Sequence, residues 1–158
     1  MHDGVVDYTG LLEERATLRR YLAQLAATDP DALAPDARTA LWINAYNAFT
    51  LELVLDHLGR IDGIRDIPSG KRWKAERWKV GAATYSLDAI EHEILRPQGD
   101  PRVHFALVCA SVSCPDLRAE AYLPGTLDAQ LDDAPRAEVP LEHAPPAQIG
   151  RARRRERA

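Results

Sequence analysis

Between positions 8 and 25 apolar residues return every three or four places, at Leu11, Leu18, Tyr21, Leu22 and Leu25, with Glu13, Glu14, Arg15 and Arg19 between them. That period marks one face of an amphipathic helix and predicts a first helix over 8–25. Asp29-Pro30 and Pro35-Asp36 interrupt the pattern with a loop. From 40 to 58 the chain is apolar on most sides, which predicts a second and most buried helix, stopped at Gly59 by a left-handed turn. Residues 61–70, rich in Gly, Asp, Pro and Ser, read as a loop. The period then shortens. Trp78-Lys79-Val80 and Thr84-Tyr85, on either side of Gly81-Ala82-Ala83, predict a short hairpin. Ser86 is placed to N-cap a third helix with Leu87, Ile90, Ile94 and Leu95 inward, Asp88 against the positive dipole end, and Arg96 last before Pro97.

Residues 103–110 form a nearly continuous apolar run of strand length, as in a strand covered on both faces. Leu127 and Leu131, after Pro124-Gly125, predict one more short helix. The fold class is therefore α+β, several helices packed on a small sheet with one central apolar strand, in a single domain over 6–134. From 135 to 158 periodicity fades into Pro140, Pro145, Pro146 and an arginine run ending near Arg157, which reads as a disordered or aberrant tail.

With 158 residues, 46% of them hydrophobic, the chain fits one domain with a sizeable core rather than two. A formal net charge of −4 gives no overall attraction to polyanions, so nucleic acid is not an expected partner. No eighteen-residue apolar stretch predicts a membrane span. The opening Met1-His2-Asp3-Gly4 has neither a basic leader nor an apolar core segment, which places the chain as written in the cytoplasm, or in an exported protein if the true N-terminus lies upstream. Two cysteines cannot build a disulfide framework, and no Cys-x-x-Cys or paired-histidine tract is present. No glycine-rich phosphate loop occurs either, so no cofactor is expected.

The chemistry-bearing residues concentrate in 104–115. If Pro115 opens a helix, Cys114 is its N-cap, and unpaired N–H groups and the dipole favour the nucleophilic thiolate. The alternative is an N-cap cysteine without catalytic duty. Cys109, inside the apolar run, packs as a small side chain or pairs with Cys114 in a redox cycle. A thiol catalyst needs a base, and the imidazoles available are His57, His92 and His104. Strand alternation would put His104 and Cys109 on opposite faces. A metal reading would join Glu91, His92, His104 and a thiol, but the spacing is irregular, and no metal site is assigned. Asn44 and Asn47, three apart on an apolar helix, are buried amides that demand partners; they pin a loop, orient a base or stabilise an oxyanion. Trp73 and Trp78 among Lys71, Arg72, Lys74, Arg77 and Lys79 read as a solvated hairpin edge with the tryptophans inward, rather than a base-stacking surface.

Three ordered motifs, Leu41-Trp42-Ile43-Asn44-Ala45-Tyr46-Asn47-Ala48, Tyr85-Ser86-Leu87-Asp88-Ala89-Ile90-Glu91-His92, and the segment from His104 through Cys109 to Ser113-Cys114-Pro115, together resemble the domain-of-unknown-function 547 family. The likeness runs over about 6–134, including Val6-Asp7-Tyr8 and Tyr122-Leu123. It implies bacterial, often exported, or plant multidomain relatives without a settled activity. The family pattern continues into apolar and aromatic sequence where this chain turns Pro/Ala/Arg-rich at Arg136, which the resemblance marks as a truncated end.

Three functional readings follow. In the first, a thiol-dependent hydrolase or acyl transferase uses Cys114 as nucleophile, His104 or His92 as base, and Asn44, Asn47 or Glu91 to orient it. In the second, the polar motifs hold a non-catalytic interaction or regulatory module. In the third, Cys109 and Cys114 form a redox pair. The partner, whether small molecule, peptide or protein, is left unnamed by the sequence.

Overall fold

The computed structural model describes residues 6–110 and 115–134. The first amphipathic stretch folds as two helices, α1 (Tyr8–Glu13) and α2 (Arg15–Ala27). Asp7 caps α1 by accepting from the N–H groups of Thr9 and Gly10 at 3.1 and 3.0 Å. The break falls at Glu14, whose ψ of 8° leaves the helical range. Thr9 and Gly10 are weak helix formers, so the cap rather than propensity holds this first turn.

The long helix α3 (Pro35–His57) begins five residues before the predicted start, because Pro35 occupies the first turn and Asp36 faces the dipole. It is the spine of the core. Ile43, Ala45, Phe49, Leu53 and Val54 are almost fully buried, and Gly59 follows its end at φ +79°. A short helix α4 (Ser69–Arg72) precedes the hairpin of β1 (Trp78–Val80) and β2 (Ala83–Tyr85), antiparallel with Trp78 opposite Tyr85. Trp78 packs inward as expected, its ring stacked on Phe49 with centroids 4.9 Å apart and an interplanar angle of 16°.

Gly81 shows why the hairpin turn needs glycine. Its φ is +57°, its N–H donates to the Leu25 carbonyl at 3.0 Å, and an added Cβ would lie 2.9 Å from the Thr28 carbonyl oxygen. Replacing Gly81 with alanine is therefore expected to cost at least about 1–2 kcal/mol from the left-handed backbone alone, measurable as a lower urea midpoint.

Ser86 caps α5 (Leu87–Ala89) by accepting from the Ala89 N–H at 3.0 Å. The helix does not stop at Arg96. It continues through a π-helical turn, Ile90–Leu95, and a 3-10 turn, Arg96–Gln98, to Gly99 at φ +80°. Pro97 fits the tighter turn because the initial residues of a helical turn need no N–H donor.

The predicted central strand over 103–110 is not formed. Val103–Ala106 is instead a helical turn, α6, and from Leu107 the backbone is extended (φ −95°, ψ 122°). The turn is nucleated by Asp100, which accepts from the Arg102 N–H at 2.9 Å, and by the Pro101 carbonyl, which accepts from His104. A continuous apolar run signals burial, not strand, and here both conformations satisfy it. Among the described residues the sheet has two strands only, and the α+β class rests on that hairpin. Helix α7 (Leu127–Asp132) closes the fold where predicted, with Leu127 and Leu131 buried.

Two ionic clusters tie these elements. Arg15 donates to Glu52 and Asp56, and Arg77 also reaches Asp56, joining α2, α3 and the residue that leads into β1. Arg102 bonds Asp100, Asp128 and Asp132, tying the α6 turn to α7. Burial pushes the Asp56 carboxyl up, but the hydrogen bonds from Arg77 and Arg15 outweigh it and hold the group below its usual range. The Arg102 hydrogen bonds likewise hold Asp100 low. A depressed folded-state pKa stabilises above the unfolded carboxylate pKa, about 3.9, and that stabilisation is lost as pH falls through the folded value. The urea midpoint is expected to drop as pH is lowered below about 4, and Asp56→Asn is expected to flatten part of that dependence.

Candidate functional site

The two asparagines of α3 serve as backbone clamps. Asn47 donates to the Ala106 carbonyl and accepts from the Val108 N–H, both at 2.9 Å, in a buried environment. Its amide thus occupies the place that a neighbouring strand would take along the extended segment. One helical turn earlier, Asn44 donates to the Tyr122 carbonyl at 2.8 Å and accepts from the Tyr122 N–H at 2.9 Å. Both amides bond through their nitrogen and their oxygen, the loop-pinning role among the sequence expectations.

The clamped segment leads to Cys109. This residue is half-buried and disulfide-bonded, and the sequence contains one other cysteine, Cys114, which lies outside the described residues. Ala110, directly after it, adopts φ +54°, a left-handed conformation that strains a residue with a Cβ. The predicted helix start at Pro115 is not observed: residues 115–118 carry no helix, so the dipole invoked for Cys114 is absent from its downstream side. The facing argument for His104 and Cys109 also lapses, because it required a strand.

Cys109 borders a cleft of about 170 Å³, together with Tyr46, Trp73, Asp88, Glu91 and His92. The π-helical turn supplies Glu91 and His92 from adjacent positions. The His92 Nε2 lies 3.5 Å from an Asp88 carboxylate oxygen one turn earlier. Glu91 Oε2 accepts from the Tyr46 hydroxyl at 3.4 Å, and Oε1 faces Arg96 at 3.4 Å and the His104 Nδ1 at 3.7 Å. Burial, then the Glu91 charge, pushes the Tyr46 phenol well above its ordinary range, so it stays a proton donor to the carboxylate. The Asp88 N–H donates to the Trp73 carbonyl at 3.0 Å, fixing the far wall.

Glu91 also lines a second, mainly apolar cleft of about 490 Å³, whose walls include Pro101, His104, Phe105 and Leu107. One carboxylate thus stands between two clefts, with His92 on one side and His104 on the other. Of the sequence candidates, Glu91, His92, His104 and Cys109 gather here, Asn44 and Asn47 hold the backbone beneath, and His57 is separate, its Nδ1 on the Leu53 carbonyl at 2.9 Å. The sequence alone does not single out Tyr46, and it marks Asp88 and Trp73 only as a helix-dipole partner and a hairpin-edge side chain. Tyr46 sits inside the same motif as the two asparagines, and its polar atom on an apolar helix was the available signal. Among the described residues no three histidine, cysteine or acidic side chains form a metal-binding group, and no helix is long and apolar enough to cross a membrane.

A family model whose description is a protein of unknown function matches residues 30–137, which includes α3, the hairpin, the π-helical turn and α7. No curated protein and no solved structure matches the chain.

Proposed function

Starting from the fact that this chain belongs to the DUF547 family, we propose that it carries out thiol–disulfide exchange at Cys109, with the adjoining cleft receiving the thiol of a small-molecule, peptide or protein partner. The observation that carries this reading is a disulfide-bonded cysteine in the wall of a cleft that also holds an imidazole and a carboxylate. In the reaction a partner thiolate attacks one sulfur of the disulfide. The new S–S bond forms as the old one breaks, and the departing thiolate takes a proton delivered through His92. A second partner thiol then displaces the first bond, so the partner dithiol is oxidised while this chain's disulfide is reduced. Asp88 holds the His92 ring, Asn47 fixes the backbone before Cys109, and the strained Ala110 lies immediately after it.

The Glu91–His104 contact favours a second reading, in which the reduced form is a hydrolase or acyl transferase. Cys114 would attack a carbonyl carbon, with His104 or His92 as base and Glu91 orienting the ring. It ranks below exchange because Cys109 is placed in the wall of the cleft, whereas its nucleophile Cys114 lies outside the described residues.

The deciding experiment equilibrates the native protein with reduced and oxidised glutathione at graded ratios, then alkylates and counts thiols by mass spectrometry. The expected result is a reversible disulfide–dithiol equilibrium with the near-ultraviolet dichroism retained, and slower reduction in His92→Gln. A disulfide that opens only in denaturant would overturn the proposal and favour the non-catalytic interaction module.

A further inference from the structure

A cleft of about 790 Å³ lies apart from Cys109, between the start of α3, the π-helical turn and α7. Its floor is apolar: Trp42, Val103, Leu127 and Leu131 are buried there, and the Tyr85 ring meets Trp42 edge-on with centroids 4.9 Å apart. The wall is set by side chains that hold one another. The Thr39 hydroxyl donates to Gln98 Oε1 at 2.6 Å, and the Gln98 amide donates to the Ile94 carbonyl at 3.2 Å. The cavity is therefore formed before any ligand arrives, as small-molecule sites usually are.

Charge selects what it can hold. Five carboxylates line it, those of Asp31, Asp36, Glu93, Asp100 and Asp128, against two guanidinium groups, Arg38 and Arg102. Both cations already have oxygen partners, although the buried Arg38 Nε has none. Arg102 bonds Asp100 and Asp128 at 2.8 and 2.9 Å, and Arg38 donates to the carbonyls of Asp31 and Leu33 at 3.2 Å and lies 4.0 Å from the Asp31 carboxylate. Asp36 and Glu93, both exposed, make no ion pair among the described residues. An anion would meet net repulsion, a hydrated inorganic cation would gain nothing from the floor, and a neutral apolar molecule would leave the rim charges unused.

We propose that this cleft binds an organic cation with an apolar body, an alkyl- or arylalkylammonium, its hydrocarbon over Tyr85, Ile94 and the floor and its ammonium between Asp36 and Glu93. The site is independent of the cysteine chemistry.

Isothermal titration of the full chain with phenylbutylamine, phenylbutanol, phenylbutyrate and spermidine tests it. The amine is expected to bind saturably, about tenfold tighter than the isosteric alcohol, and to weaken as salt is raised. The carboxylate is expected not to bind, and spermidine to bind more weakly than the arylalkyl amine. The double variant Asp36→Asn with Glu93→Gln, checked for an unchanged melting temperature, is expected to lose that preference while its weak affinity for the alcohol persists. Equal binding of amine and alcohol, amine binding unchanged in the double variant, spermidine binding as tightly as the aryl amine, or no saturable binding would each overturn the proposal.

Discussion

Replacing Asn47 with leucine is expected to destabilise the protein by roughly 2–4 kcal/mol, although leucine has the same number of side-chain heavy atoms as asparagine and suits the apolar helix around it. The substitution strands two buried backbone groups, the Ala106 carbonyl and the Val108 N–H, that Asn47 pairs at 2.9 Å each. Leaving a buried donor or acceptor unmade costs about 1–3 kcal/mol apiece, more than the gain from one extra apolar side chain. Asn47→Asp separates the two contributions. Its carboxylate keeps an acceptor for Val108 but loses the donor to Ala106 and buries a charge against a carbonyl oxygen. Urea unfolding of both variants at neutral pH measures the losses. A loss under about 1 kcal/mol for leucine would mean that the extended segment is held by its apolar side chains and that the clamp is incidental. The same variants are expected to reduce faster at Cys109, because the backbone leading into the disulfide is no longer fixed.

The second large effect is expected at Phe49. This ring is 1% exposed and lies stacked on Trp78, whose indole also carries the Arg77 guanidinium at 4.4 Å from its centroid. Phe49→Ala removes a large buried surface where the two-stranded hairpin rests on α3, and losses of about 3–5 kcal/mol accompany such truncations. Because no third strand joins the hairpin among the described residues, it depends on this packing for its existence. The expected signature is therefore twofold, a lower urea midpoint and a change in the near-ultraviolet tryptophan signal before global unfolding. Phe49→Leu is expected to lose less, since it keeps most of the volume and forfeits mainly the ring contact.

The elements that the sequence made legible are those whose signals are local. Ser86 with a following apolar stripe marked a helix start, Gly59 marked an end, and Gly81-Ala82 with β-prone neighbours marked the hairpin. The misreading at 103–110 has a nonlocal cause. What decides that segment is Asn47, 59 residues away from Ala106, whose side chain takes the hydrogen bonds a strand would have needed. Asp100 then fixes the preceding turn through Arg102, itself held by two aspartates of α7. The site was legible as a list and not as a map. Glu91, His92 and His104 could be named from their chemistry, and Asn44 and Asn47 from being amides on an apolar helix. That one carboxylate separates two clefts follows from the π-helical turn, which shifts the register of Glu91 and His92 and has no single-residue signature.

The asparagine pair also bears on how the chain is made. Asn44 and Asn47 belong to a helix whose own hydrogen bonds are local, so α3 can form as soon as it leaves the ribosome. Their partners lie far downstream, 61 residues on at Val108 and 78 residues on at Tyr122. Until those stretches emerge, the nascent helix presents two unmatched amides on a surface made mostly of hydrocarbon. Those amides keep the face wetter than a wholly apolar one and disfavour premature burial against the wrong neighbour. Synthesis runs at about 5–20 residues per second, so the interval lasts several seconds, and tertiary closure waits for Tyr122 to arrive.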